Sequence, residues 1–382
     1  LYYTSIRFKS IQEECYSVKK HITLIVGARP NFMKAAPLLR ALKTLPDIFR
    51  PTLIHTGQHY DPKMSELFFN ELGMDKPNIF LGVGSGSHAE QTAKIMIELE
   101  KSFSQDRPDL VVVFGDVNST MAAALVAAKM SIRIAHVEAG LRSFDKAMPE
   151  EINRIVTDRL SDYLFVTEES GIRNLKAEGV PSEKIFFTGN IMIDSLTASL
   201  EACKRSTILD DLSLIPGKYV CMTLHRPSNV DNEKILREIM TMIISIADRV
   251  PVVFPAHPRT KKKMTQLGML DSVSDGRLKI IEPLGYLDFL ALQSSSFFVL
   301  TDSGGIQEET TYLRIPCITM RENTERPVTV DVGSNILTGP HPAKVLEAVQ
   351  LILDGKAKRG RIPDLWDGKT AERIVTILRT IA

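Results

Sequence analysis

From about His21 onward, short apolar runs alternate with longer segments whose apolar positions recur every three to four residues. The runs Ile22–Val26, Pro51–His55, Asp109–Phe114, Ile132–His136, Tyr163–Val166 and Ile185–Thr188 predict strands, with helices over Phe32–Leu42 and around Ala122–Ala128. A polar stretch, Glu201–Ser213, separates this series from a second one. There the strands are Tyr219–Leu224, Val252–Pro255, Leu278–Ile281, Phe297–Leu300 and Cys317–Met320, with a helix over Asn232–Ile246. A last helix, Thr370–Ile381, follows a connection rich in Lys, Arg, Gly and Pro. Continuously apolar strands, each followed by a helical segment, predict parallel sheets covered on both faces. The expected fold is α/β, with two Rossmann-like domains, 21–195 and 196–365, facing a central cleft. Residues 366–382 are expected to pack back on the first domain, and 1–20 to form an N-terminal extension.

Composition narrows the partners. A chain of 382 residues exceeds one typical core, as two domains require. A net charge of +1 provides no global field for nucleic acid or an anionic membrane, so phosphate binding must be local. Cys15, Cys203, Cys221 and Cys317 form no CxxC pair, which favours a reducing compartment over a structural zinc site. No apolar run is long enough to span a bilayer, and 1–20 lacks a signal-peptide core, so a cytoplasmic location is expected.

Ligands of open α/β sheets sit at the carboxyl ends of strands, and there the informative residues gather. The run Phe297–Glu309 carries an apolar strand to Asp302, then Ser303, Gly304 and Gly305, then a helix with Glu308 and Glu309. Glycines admit a ligand close to the backbone, and a helix start offers N–H groups to a phosphate. An ordinary turn capped by Ser303 is the alternative. Arg29 and Lys34 follow the first strand and offer two cations to a diphosphate; a surface Arg and a solvated Lys would look the same. That turn is not GxGxxG, so no dinucleotide cofactor is expected.

Asp116 ends a buried strand beside Gly115, where it serves either chemistry or a helix cap. Glu138 leaves an apolar strand and needs a partner or a role, and Arg142 is within reach in sequence. Glu150 and Glu151 open a helix after Pro149, which also suits the helix dipole. His225-Arg226 and His257-Pro258-Arg259 each follow a strand of the second series. No HxH spacing is present and the candidates lie on different domains, so no metal is expected.

Gly27-Ala28-Arg29-Pro30, His55-Thr56-Gly57-Gln58-His59, Gly115-Asp116, the run His136–Arg142, Pro149–Arg154, His225-Arg226 and Thr301–Glu309 together resemble, in order, the non-hydrolysing UDP-N-acetylglucosamine 2-epimerases. The resemblance runs from about Lys20 to the carboxyl end. It implies a GT-B architecture and interconversion of UDP-N-acetylglucosamine with UDP-N-acetylmannosamine without a redox cofactor. It implies Asp116, Glu138, Glu150 and His225 as the catalytic group, and Arg29, Lys34, His257, Ser303, Gly304 and Gly305 as the diphosphate grip. Phe289 would stack near uracil, the Leu284 backbone would read the base edge, Glu309 would take the ribose, and Arg326 would line the same pocket. A homodimer is expected from the family.

Allosteric members carry Gln where this chain has Asp61 and Arg where it has Glu90, so allosteric activation is not expected here. The segment between Arg142 and Pro149 resembles instead the branch acting on UDP-2,3-diacetamido-2,3-dideoxyglucuronic acid. A hydrolysing epimerase, a GT-B glycosyltransferase and a non-catalytic nucleotide-sugar sensor are the remaining alternatives.

Overall fold

The computed structural model describes residues 19–58, 71, 73–269 and 276–381, without the side chain of Arg29. Residues 1–18 of the expected N-terminal extension and Asp61 therefore lie outside the described residues, whereas Lys20 already belongs to the first strand. The first sheet holds β1 (Lys20–Val26), β2 (Phe49–His55), β3 (Ile79–Phe80), β4 (Leu110–Phe114), β5 (Arg133–Ala139), β6 (Tyr163–Val166) and β7 (Ile185–Phe187). The second holds β8 (Val220–Met222), β9 (Val252–Pro255), β10 (Leu278–Ile281), β11 (Phe298–Thr301), β12 (Cys317–Thr319) and β13 (Asn335–Leu337). Their spatial orders are β3-β2-β1-β4-β5-β6-β7 and β10-β9-β8-β11-β12-β13, parallel in every pair. Both are doubly wound, reversing direction between β1 and β4 and between β8 and β11. Those two crevices are where such sheets take ligands.

Periodicity located the long buried strands and missed two short ones. Ile79–Phe80 has too few residues to show alternation, and Asn335–Leu337 is only partly buried. Strand β5 runs through Glu138 to Ala139, so the carboxylate lies inside the strand rather than beyond its end. Gly304 and Gly305 are the first turn of the helix Gly304–Leu313, not a turn preceding it. The polar stretch 201–213 contains the short helix Ile208–Asp211.

The helix Ile191–Cys203 links the two halves, packing against Arg29–Lys43 on one side and against Tyr286–Ser294 and Gly304–Leu313 on the other. The last helix, Thr370–Ile381, returns to Arg29–Lys43 and Ile191–Cys203. Asp194 fixes that return by accepting the first backbone N–H groups of the last helix, from Thr370 at 3.2 Å and Ala371 at 2.7 Å. Trp366, fully buried, donates its indole N–H to the Thr167 carbonyl at 3.0 Å. Among the described residues no helix is long and apolar enough to cross a membrane.

Candidate active site

Glu138 is the bulged residue of β5: pairing with β4 continues to Val137, and pairing with β6 resumes at Ala139. Its φ of 75° is left-handed, a costly state for a residue with a Cβ, and the bulge turns its side chain into the cleft. There it meets two cations from different halves. Lys34, buried in the second turn of Arg29–Lys43, makes a close ion pair with it. Arg326, just ahead of the helix Pro327–Asp331, donates to it at 3.1 Å and to Glu308 at 2.7 Å. Burial alone would raise the Glu138 carboxyl, but Lys34 and Arg326 outweigh it and hold the group below the usual range. For Glu308 burial wins over Arg326, and the charge of Glu138 pushes it further up. Glu325 completes the ring around Arg326 and is kept ionised chiefly by Arg321, at 2.7 and 2.9 Å.

Gly115 makes room for this pairing. It has φ 60°, and a Cβ there would lie 2.9 Å from Lys34 Nζ. Asp116, next along, does not cap the following helix, whose N-cap is Val117 without a side-chain bond. Its carboxylate instead pairs closely with Arg154, and its carbonyl accepts from Asn153 at 2.8 Å. Both partners come from the helix Pro149–Leu160. The buried face of that helix is Glu151, Asn153, Arg154, Thr157 and Asp158, while Ile152 and Ile155 face outward. The usual amphipathic arrangement is inverted, because this helix covers polar strand ends rather than apolar core.

The two neighbouring glutamates divide their tasks. Glu151 is buried and accepts the Ser143 and Phe144 N–H groups, each at 2.9 Å, so it organises the preceding loop. Glu150 is exposed and close enough to Arg226 of the other half to stabilise its charge. Arg142 does not partner Glu138; it pairs with Asp158 at 2.7 Å and Glu178 at 2.8 Å.

In the second half, Asp302 is fully buried at the end of β11 and accepts from the His225 and Arg226 backbones at 3.0 and 2.8 Å. His225 Nδ1 lies 2.8 Å from the same carboxylate, which orients the ring and leaves Nε2 toward the cleft. The ring of His257 is 6.1 Å away, and its Nδ1 accepts the Arg259 N–H at 3.2 Å. Burial and the nearby His225 push His257 toward its neutral form.

Ser303 is the N-cap of Gly304–Leu313 but makes no side-chain cap bond. The capped-turn alternative is therefore absent, and the helix start keeps donors for a ligand. A Cβ at Gly305 would meet open space, whereas one at Gly304 would lie 2.9 Å from Arg326 NH1. Glu309 is buried and accepts the Tyr286 hydroxyl at 3.2 Å. Leu284 and Phe289, on either side of Tyr286, are half-buried against the main core. Glu90 forms a capping box with Ser87, so its carboxylate is engaged at the start of His88–Gln105.

The structure thus brings Lys34, Asp116, Glu138, Glu150, His225, Ser303, Gly304 and Arg326 around one crevice. Arg154, Glu308 and Asp302 belong to the same network; the sequence marked Asp302 and Glu308 only as parts of the strand-to-helix turn and assigned none of the three a role at the site. For Arg154 a signal existed: Glu151, Arg154 and Asp158 recur at helical spacing, marking a charged stripe along one face.

Two Rossmann-like domains whose switch points face a shared polar crevice define the GT-B class of nucleotide-sugar enzymes. The family model described as UDP-N-acetylglucosamine 2-epimerase matches residues 40–379. The UDP-N-acetylglucosamine 2-epimerase of Methanocaldococcus jannaschii is 45% identical over 371 residues, covering 94% of this chain and 98% of that one. A crystal structure of the Methanocaldococcus jannaschii UDP-GlcNAc 2-epimerase in complex with UDP-GlcNAc and UDP has TM-score 0.87 and 44% identity, and the match covers 94% of this chain and 99% of that one. The UDP-2,3-diacetamido-2,3-dideoxy-D-glucuronate 2-epimerase of Pseudomonas aeruginosa is 41% identical, over 94% of this chain and 99% of that one. The chain belongs to the non-hydrolysing UDP-N-acetylglucosamine 2-epimerase family and is an isomerase.

Proposed function

We propose that this chain interconverts UDP-N-acetylglucosamine and UDP-N-acetylmannosamine by eliminating UDP and adding it back. The observation that carries this reading is the carboxylate of Glu138, carried on a left-handed backbone and held between Lys34 and Arg326. The C2 proton of the sugar is weakly acidic, so its removal needs a positioned base and a departing group stabilised at the same moment. A carboxylate takes the proton, the C2–H electron pair forms the C1=C2 bond of a 2-acetamidoglucal, and the C1–O bond to UDP breaks. Lys34, Arg326, Arg29, His257 and the Ser303–Gly305 backbone would stabilise the departing diphosphate. Return requires a proton at C2 from the opposite face while a β-phosphate oxygen re-attacks C1. Asp116, Glu138, Glu150 and His225, drawn from both halves, supply acid and base groups for two faces.

Lys34 and Arg326 play a double part in this scheme. As long as they face Glu138 they hold it in a weakly basic state. A diphosphate that draws them toward itself makes Glu138 a stronger base as it binds. Glu309 would take the ribose, and the Leu284–Phe289 segment the uracil.

The test is proton NMR in deuterated water with UDP-N-acetylglucosamine alone. Exchange at C2 and formation of UDP-N-acetylmannosamine are expected without any acceptor. Free N-acetylmannosamine would indicate a hydrolysing enzyme, and binding without exchange a sensor. The second reading, epimerisation of UDP-2,3-diacetamido-2,3-dideoxyglucuronate, draws on the Pseudomonas aeruginosa relative. Running both sugars side by side separates them by turnover.

We further propose a homodimer, through the outward apolar face of Pro149–Leu160. Ile152 is 49% exposed, Ile155 lies one turn on, and nearby Phe144 is 77% exposed. A cytoplasmic location fits the buried, unpaired Cys203, Cys221 and Cys317.

A further inference from the structure

Asp158 takes no part in the reaction proposed above, yet it is completely enclosed beneath the site. One carboxylate oxygen accepts from His136 Nδ1 at 2.7 Å, and the other from the Gly140 N–H at 3.1 Å and from Arg142 at 2.7 Å. Those three residues stand two before, two after and four after the bulged Glu138. His136 continues the chain of contacts: its Nε2 lies 2.8 Å from the Gly115 carbonyl, immediately ahead of Asp116. Both ring nitrogens of His136 are therefore engaged, one by the Asp158 carboxylate and one by the Gly115 carbonyl. The helix that carries Asp158 also carries Asn153 and Arg154, which hold Asp116 from its other side.

We infer that Asp158 and His136 form a positioning couple that sets both candidate carboxylates at once. Asp158 holds the His136 side chain ahead of Glu138, and the Gly140 N–H and the Arg142 side chain after it, and so keeps Glu138 in its left-handed bulge. His136 ties that clamp to the Gly115 carbonyl and fixes the distance between Glu138 and Asp116. A left-handed non-glycine residue persists only where its surroundings over-determine it, and here three bonds to one carboxylate do so. Neither Asp158 nor His136 touches the sugar; each acts through the residues it holds.

This inference rests on the epimerase reading for its kinetic arm and on geometry for its structural arm. Asp158→Asn leaves a single acceptor oxygen, so either His136 or the Gly140 and Arg142 donors lose their carboxylate acceptor, and the charge opposite Arg142 is gone. His136→Phe keeps the ring volume and removes both ring bonds. Each should lower the turnover number for C2 exchange by about 100-fold, the usual result of a misplacement near 1 Å, with KM unchanged. Crystal structures of the variants should show Glu138 released from positive φ. Glu178→Gln is the control: it weakens the other carboxylate contact of Arg142 and leaves the Asp158 bonds to His136 and Gly140 in place. It should lower thermal stability and leave turnover intact.

Wild-type turnover in Asp158→Asn and His136→Phe, or lost turnover with Glu138 unmoved, overturns the inference. So does an equal loss of turnover in Glu178→Gln, because general loosening would then explain all three. If Asp158→Asn does not fold, His136→Phe decides by the same two readouts. If the wild type exchanges no C2 proton, the epimerase reading falls, and the crystallographic position of Glu138 still decides this one.

Discussion

At the scale of single residues, the site is a balance of charges that burial makes steep. Glu138, Lys34 and Arg326 are all nearly excluded from water, where removing one partner leaves the others uncompensated. Lys34→Met should therefore raise the Glu138 carboxyl. With Glu138 as the base, the acid limb of the turnover profile should move to higher pH, as kinetics at several pH values would reveal. An unmoved limb would assign the proton abstraction to another carboxylate. Asp116→Asn should abolish C2 exchange while UDP affinity by calorimetry stays near wild type. Asp116 pairs with Arg154 of its own half, so its amide leaves the diphosphate grip untouched.

Two of the carboxylates were legible in the sequence, because Asp116 stands beside Gly115 after a buried strand and Glu138 interrupts an apolar run. Their partners were not. Arg142 looked like the natural companion of Glu138 from four residues away, but the bulge turns Glu138 toward Lys34 and Arg326. A bulge reverses the direction of one side chain without altering the apolar pattern around it.

At the scale of elements, two helices govern the crevice. The start of Gly304–Leu313 offers its N–H groups beside Arg326, and Gly304 permits that approach. Gly304→Ala would place a methyl against the guanidinium and push it from Glu138 and Glu308. UDP binding by calorimetry should weaken about tenfold, which is about 1.4 kcal/mol. The helix Pro149–Leu160 has its polar face inward and its isoleucines outward, a reversal that apolar periodicity alone assigns the wrong way. Ile152→Asp adds charge only to the outer face, so it should leave each subunit folded while light scattering reports monomer. A dimer that persists would move the contact elsewhere on the molecule.

At the scale of the whole molecule, the junction between the halves contains its own titrating group. Glu168, 3% exposed at the start of Glu169–Ala177, lines a cavity of ≈ 280 Å³. Pro327, Val328, Asp331 and Val332 of the second half and Arg361, Pro363 and Asp364 of the returning connection form its other walls. Glu168 accepts the Ser170 hydroxyl at 2.5 Å, and burial pushes its carboxyl up to about 7. Between the unfolded value of 4.5 and about 7 the folded chain binds the extra proton, so stability falls as pH rises through that window. The full penalty above it is at most roughly 3 kcal/mol. Glu168→Gln should remove the penalty and raise the melting temperature at pH 8 more than at pH 5, by calorimetry. The carboxylates held low, Glu138, Asp158, Asp302 and Glu325, act oppositely: their stabilisation is present at neutral pH and lost on acidification.

The sequence by itself determined the two doubly wound sheets and the strand ends where chemistry gathers. Those features follow from hydrophobic periodicity and from glycine and carboxylate positions, which are local. Only the tertiary structure decided which charges meet. Glu138 and Arg326 stand 188 residues apart and touch because a bulge in one half aims at the crevice of the other. Ion pairs across a domain cleft leave no periodic trace in either segment, since each partner alone reads as a solvated charge.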